Sequence, residues 1–209
     1  MIIVHHLNES RSQRVLWLLE ELGLAYEIKN YTRDATTRLA PPELKAIHPL
    51  GKSPVVEENG QVFAESGAIV EYFAERYGDG KLSVSPSEPA RAAYLHWLHF
   101  AEGSGMLPLL LKLYVGLLGE AGAPLMAMRI EPEIANHLAY ADGAIGGGDY
   151  FVANRFTAAD IQMGFVLDAA NNRGGLERYP NLVRVRAANQ ARPAYQRALE
   201  RGGRYKMGD

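Results

Sequence analysis

Three short stretches carry residues whose types and spacing could do chemistry. The first is "NESRSQR", residues 8–14, with the donors Asn8, Ser10 and Ser12 crowded just before a helical pattern. The second is "KSP", residues 52–54, where a Ser-Pro pair heads an apolar run. The third is Glu65-Ser66, which opens another helical pattern straight after a hairpin. A hydroxyl at a helix start can donate to an anion, and a helix N-terminus offers free N–H groups and about half a positive charge. The chain has no cysteine, so disulfides, thiolate metal sites and a cysteine nucleophile are excluded. Any thiol chemistry must use a thiol that the substrate brings.

Other constellations read as structural. His96, His99 and Glu102 lie on one helical stretch but span too wide an arc for one metal ion, and Trp97 and Phe100 point to packing. No metal is therefore expected. His5 and His6, adjacent on a strand, point to opposite faces. In "FTAADI", Thr157 and Asp160 have the spacing of N-cap and N3, with Phe156 and Ile161 as a hydrophobic staple. Ser10 and Gln13 have capping-box spacing too.

The elements that must position these residues fall into two groups. Residues 1–78 read β-α-β-α-β-β-α. The strand "MIIVHHL" comes first, and Val15, Leu18, Leu19 and Leu22 then fall at helical spacing ahead of Gly23. "YEIKNY" reads as a strand and 41–48 as a short helix begun by proline. "PVVEENGQVFA" is a hairpin about Asn59-Gly60, and 66–77 is a helix with Ser66 as its cap. Residues 79–87 begin a stretch rich in Pro, Ser, Asp and Gly and read as a linker. From 88 to 209 the pattern is helical, with kinks expected at Gly103, Gly105 and Pro108 and a break at Pro132. A parallel strand pair with a helical crossover, followed by a hairpin, is the order of a thioredoxin-like domain. The expectation is an α/β thioredoxin-like N-terminal domain and an all-α C-terminal domain.

Composition bounds the partners. The 209 residues are 47% hydrophobic and 22% charged, with a formal net charge of −2. Nothing there favours nucleic acid or an anionic membrane. No apolar run is long enough to span a bilayer. The N-terminus lacks a basic region followed by a long apolar one, so no signal peptide is expected, and a cytoplasmic location is.

The chain resembles the glutathione transferase family along essentially its whole length. The resemblance rests on "SRSQRVLWLLEELGLAYE" (10–27), "HPLGKSPVVE" (48–57), "FAESGAIVEYFAERY" (63–77) and "FTAADI" (156–161). The first segment looks most like the serine-type branch. The resemblance implies a cis peptide at Ser53-Pro54, with the backbone of Ser53 pairing with the cysteinyl unit of glutathione. It places the γ-glutamyl carboxylate at Ser66, its ammonium near Glu65, and the glycyl carboxylate within reach of Lys52. His48 is left between that end and the loop. Ser10, four residues before Arg14, is implied as the donor to sulfur, with Ser12 and Asn8 as rivals. An apolar electrophile would be held mainly by the helical domain, at Met106, Leu110 and Tyr114, although Leu107, Leu111 and Tyr114 define a competing face. Glutathione is then a co-substrate, with no prosthetic group, and the family implies a homodimer with a detoxifying role. Glutathione-dependent reduction of disulfides or peroxides, and a non-catalytic binding or regulatory role, are the alternatives.

Overall fold

The computed structural model describes residues 1–206 and divides into two compact units. The first comprises Met1–Ser83 together with the stretch from Gln190 onward, and the second is Val84–Asn189.

The first unit holds one four-stranded sheet. Its strands are β1 (Ile2–Leu7), β2 (Glu27–Tyr31), β3 (Val55–Glu58) and β4 (Gln61–Ala64), in the order β2-β1-β3-β4. β1 and β2 run parallel, which requires the crossover helix α1 (Ser12–Leu22) between them. β3 and β4 are antiparallel, and their Asn59-Gly60 turn has φ of 51° and 82°, the left-handed pair that such a tight hairpin needs. Two more helices follow the same stretch of chain, α2 (Glu43–Ile47) and α3 (Ser66–Tyr77). Val4 and Leu7 of β1, Val15, Leu16, Leu18 and Leu19 of α1, and Ile69, Val70 and Phe73 of α3 are buried and form the core.

The second unit is helical. It contains α4 (Arg91–Phe100), α5 (Met106–Gly116), a short α6 (Ala123–Leu125), α7 (Glu131–Ile145), α8 (Ala158–Arg173) and α9 (Pro180–Gln190), the last ending at the unit boundary. The kink expected around Gly103 and Gly105 is a π-helical turn, Ala101–Gly105, between α4 and α5. Pro132 does not break a helix. It sits in the first turn of α7, directly after a π-helical turn, Met126–Ile130, that runs into the helix without a break. Thr157 and Asp160 form their capping box at the start of α8. The Asp160 carboxylate takes the N–H of Thr157 at 2.8 Å and that of Phe151 at 2.9 Å, so it also fastens the preceding loop. Full burial pushes its pKa up to about 6 against those bonds.

The expected division at 79–87 shifts in one respect with a physical cause. The final helix, α10 (Pro193–Gly202), packs on α1 and belongs to the first unit, not to the helical one. Trp17 meets the Tyr195 ring edge-on at 5.1 Å. The nearly buried Glu20 takes Arg197 at 2.8 Å and Arg201 at 3.1 Å, and Glu21 takes Arg192 at 2.6 Å. Periodicity marks such a helix but not the surface it covers. Among the described residues no helix is long and apolar enough to cross a membrane.

Candidate active site

The sheet register brings two of the three chemical stretches together. Val55, which follows Pro54, pairs with Ala64, which precedes Glu65. The Ser53–Pro54 bond is cis. Ser53 donates its hydroxyl to the carbonyl of His5 at 2.9 Å and accepts the N–H of Leu7 at 3.3 Å, so it is tied to the end of β1. Among the described residues neither the N–H nor the C=O of Ser53 has a hydrogen bond, and this edge is free for an extended ligand. Lys52 beside it is exposed with no ion partner among the described residues. His48 closes the end of α2 and accepts the N–H of Leu50 at 3.4 Å.

Helix α3 spans the expected residues 66–77, but its cap differs from the expectation. Ser66 is its first helical residue and Glu65 stands at the cap, with φ of 68°. Ser66 therefore does not cap its own helix. Its hydroxyl instead accepts a bond from the buried Arg14 guanidinium at 3.2 Å. Ile69 bonds back to the Glu65 carbonyl at 2.9 Å, so helix geometry leaves the N–H groups of Ser66, Gly67 and Ala68 at the open end. The helix N-terminus and the Arg14 cation both favour an anion there. Glu65 is exposed beside them.

The third stretch joins the first two. Ser10 is buried, and its hydroxyl lies 3.4 Å from that of Ser53, forty-three positions along the chain. The capping box read into Ser10 and Gln13 does not form. The cap position of α1 is Arg11, and Ser10 takes the N–H of Ser12 at 3.2 Å instead. The Gln13 amide is buried with no hydrogen bond among the described residues. Ser10 and Ser12 share a bond at 2.7 Å, and Ser12 in turn lies 2.8 Å from Nδ1 of His6. Burial is the chief influence on His6 and lowers its pKa from the ordinary range, against a smaller opposite pull from the carbonyl of Gly202.

Sequence reasoning missed the residues that fix this loop. Arg33 donates to the carbonyls of Asn8 at 3.1 Å and Glu9 at 3.2 Å, while its own N–H goes to the side-chain oxygen of Asn8 at 2.8 Å. The Glu9 carboxylate accepts the N–H of Lys206 at 3.0 Å. Glu9 itself has φ of 52°, uncommon without glycine. Arg33 and Lys206 carry no local pattern, so only the fold reveals them. His6 left one signal, a histidine on the inner side of an apolar strand.

In the helical unit the residues proposed for an electrophile divide. Met106 is buried, Leu110 is half-buried and Tyr114 is exposed. A cleft in that unit is lined by Leu107 and Leu111, from the competing face of α5, with Arg129, Glu133 and His137. His96 lies against Trp97 and Phe100 and bonds to Tyr140 at 3.0 Å. Among the described residues no cluster of three or more His, Cys, Asp or Glu side chains could hold a metal ion.

A thioredoxin-like sheet with a cis Ser53–Pro54 bond, followed along the chain by a helical unit, is the fold class expected from the sequence. Comparison with known proteins narrows the class. The family model for the glutathione S-transferase N-terminal domain matches residues 1–75, and that for the C-terminal domain matches residues 120–201. The chain is 36% identical over 218 residues to glutathione S-transferase 3 of Schizosaccharomyces pombe, covering 96% of this chain and 88% of that protein. It is 35% identical over 193 residues to glutathione S-transferase 1 of Saccharomyces cerevisiae, covering 83% and 82%. A crystal structure of a glutathione S-transferase from Actinobacillus pleuropneumoniae superposes with a TM-score of 0.89 at 33% identity, covering 99% of this chain and 94% of that one. The chain belongs to the glutathione S-transferase family.

Proposed function

We propose that this glutathione transferase activates glutathione with Ser10 and conjugates the thiolate to an apolar electrophile. The observation that carries this reading is the 3.4 Å approach of the Ser10 and Ser53 hydroxyls, which sets a donor beside a free peptide edge. Glutathione would lie extended along Ser53 and the cis Pro54. Its γ-glutamyl carboxylate would meet the N-terminus of α3 at Ser66, its ammonium Glu65 and its glycyl carboxylate Lys52. A free thiol has a pKa of roughly 8.5. Lowering it by about two units takes roughly 2.7 kcal/mol of selective anion stabilisation, which an oriented hydroxyl at a helix start helps to supply. Ser12 is a poorer donor than Ser10, because it is wholly buried and engaged with His6.

The electrophile is held mainly by the helical unit, with the exposed Tyr114 and the half-buried Leu110 on the same face of α5 as Met106. Following the family, the protein works in the cytoplasm as a homodimer and needs no prosthetic group. Retention on immobilised glutathione tests the clamp, and turnover of a chloronitroaromatic against a glutathione mixed disulfide tests the reaction. The expected result is retention with turnover of the aromatic. Loss of retention at millimolar glutathione, or turnover of the disulfide alone, would overturn the assignment. Tyr114→Ala is expected to raise KM for the electrophile several-fold and leave KM for glutathione unchanged.

A further inference from the structure

The hydrogen bonds behind Ser10 form a chain whose direction can be worked out atom by atom. Nε2 of His6 lies 2.9 Å from the carbonyl of Gly202 at the end of α10. A carbonyl only accepts, so Nε2 carries a proton and donates. The ring is nearly buried and its pKa is depressed by that burial, so it is neutral near pH 7 and its Nδ1 is an acceptor. The hydroxyl 2.8 Å from Nδ1 is that of Ser12, and its single proton takes that bond over the longer 3.4 Å approach to the carbonyl of Leu7. Ser12 Oγ can then only accept across the 2.7 Å contact with Ser10. Ser10 has two acceptors within reach, Ser12 at 2.7 Å and, at 3.4 Å, Ser53, whose own proton goes to His5, and the shorter contact turns the Ser10 proton along the chain Ser10 to Ser12 to His6 to Gly202. Both serines are buried, so no water need replace any link.

The end of the chain is held by a close approach. A Cβ on Gly202 would come within 2.3 Å of Leu16 and 3.3 Å of the His6 ring, so glycine lets α10 end directly against β1 and α1.

We propose that His6 and Ser12 are positioning residues that hold the Ser10 proton away from the sulfur until a thiolate competes for it. This rests on the reading of Ser10 as the donor to sulfur. With neutral thiol bound, Ser10 keeps its bond to Ser12. With thiolate bound, the charged acceptor draws the Ser10 proton over, and the Ser10–Ser12 bond is given up. That lost bond opposes ionisation. The chain thus sets how far the thiol pKa can fall, and it links that value to the seating of α10.

The test is a titration of the thiolate absorbance of bound glutathione in four proteins: the wild type, Ser12→Ala, Ser10→Ala and the double variant. Ser12→Ala removes the competing acceptor and leaves the peptide edge and the α3 N-terminus intact. It is expected to lower the bound thiol pKa by about half a unit to one unit, the worth of one neutral hydrogen bond. Ser10→Ala is expected to raise it, and the double variant to match Ser10→Ala, since Ser12 acts only through Ser10. An unchanged or raised pKa in Ser12→Ala, with Ser10→Ala still raised, would overturn the chain and leave Ser10 as donor. A Ser12 effect of equal size without Ser10 would overturn it by showing that Ser12 contacts the sulfur itself. No effect of Ser10→Ala would remove the donor and the chain together.

Discussion

Glu65 joins two requirements in one residue. In the proposed complex its carboxylate faces the glutathione ammonium, and its backbone has the positive φ that turns the hairpin into α3. A side chain in that region costs roughly 1–2 kcal/mol, which glycine avoids. Glu65→Gly and Glu65→Ala should therefore weaken glutathione binding alike, while Glu65→Gly is more stable than Glu65→Ala by about 1 kcal/mol in denaturant unfolding. Equal stability would show that the backbone there is not strained. At this scale the candidate residues could be proposed from the sequence, because Ser-Pro after a loop and Glu-Ser after a hairpin are local patterns. Their supports were not. Arg14 meets Ser66 fifty-two positions away, and His6 meets Gly202 across 196. Nothing in the neighbourhood of either residue encodes its partner.

Elements hold the site through their ends. The start of α8 depends on Asp160, whose loss would leave the N–H groups of Thr157 and Phe151 buried and unmet. Asp160→Ala is expected to destabilise the protein by about 2–4 kcal/mol in chemical denaturation, since each such donor costs about 1–3. A loss below 1 kcal/mol would mean that the loop finds other acceptors. The seat of α10 on α1 centres on Glu20. Burial acts to raise its pKa, but hydrogen bonds from Arg197, Tyr26 and Arg201 outweigh it and the net shift is downward. A carboxyl depressed in the folded state contributes stability above its unfolded pKa and loses it as pH falls through the folded value. Glu20→Gln should thus cost on the order of 1 kcal/mol at pH 7, and the gap to wild type should close below about pH 4. A gap constant from pH 7 to pH 3 would assign the effect to packing. The strands, the hairpin and the first three helices followed from periodicity and turn residues. The cap of α3 did not, because a favoured capping serine yielded its place to a glutamate with positive φ.

Across the whole molecule, the thioredoxin-like order and the helical second half were legible, and the route of the chain back to its start was not. Helix α10 completes the first unit by covering Trp17 and the acidic side chains of α1, and the residues beyond it reach the loop that carries Ser10. Ending the chain after Gln190 should therefore abolish glutathione retention, although every residue proposed to touch glutathione lies before position 67. Retention by the shortened chain would show that the clamp stands without its last helix. The apolar pocket was the least legible part, because its choice between two faces of one helix turns on packing that periodicity leaves open.

The central claim is that Ser10 lowers the pKa of the thiol bound at Ser53 and Pro54. Titration of bound glutathione by its thiolate absorbance tests it directly. The expected wild-type value lies well below the free thiol's roughly 8.5, and Ser10→Ala should raise it by about one to two units with glutathione retention preserved. An identical titration in the two proteins would contradict it.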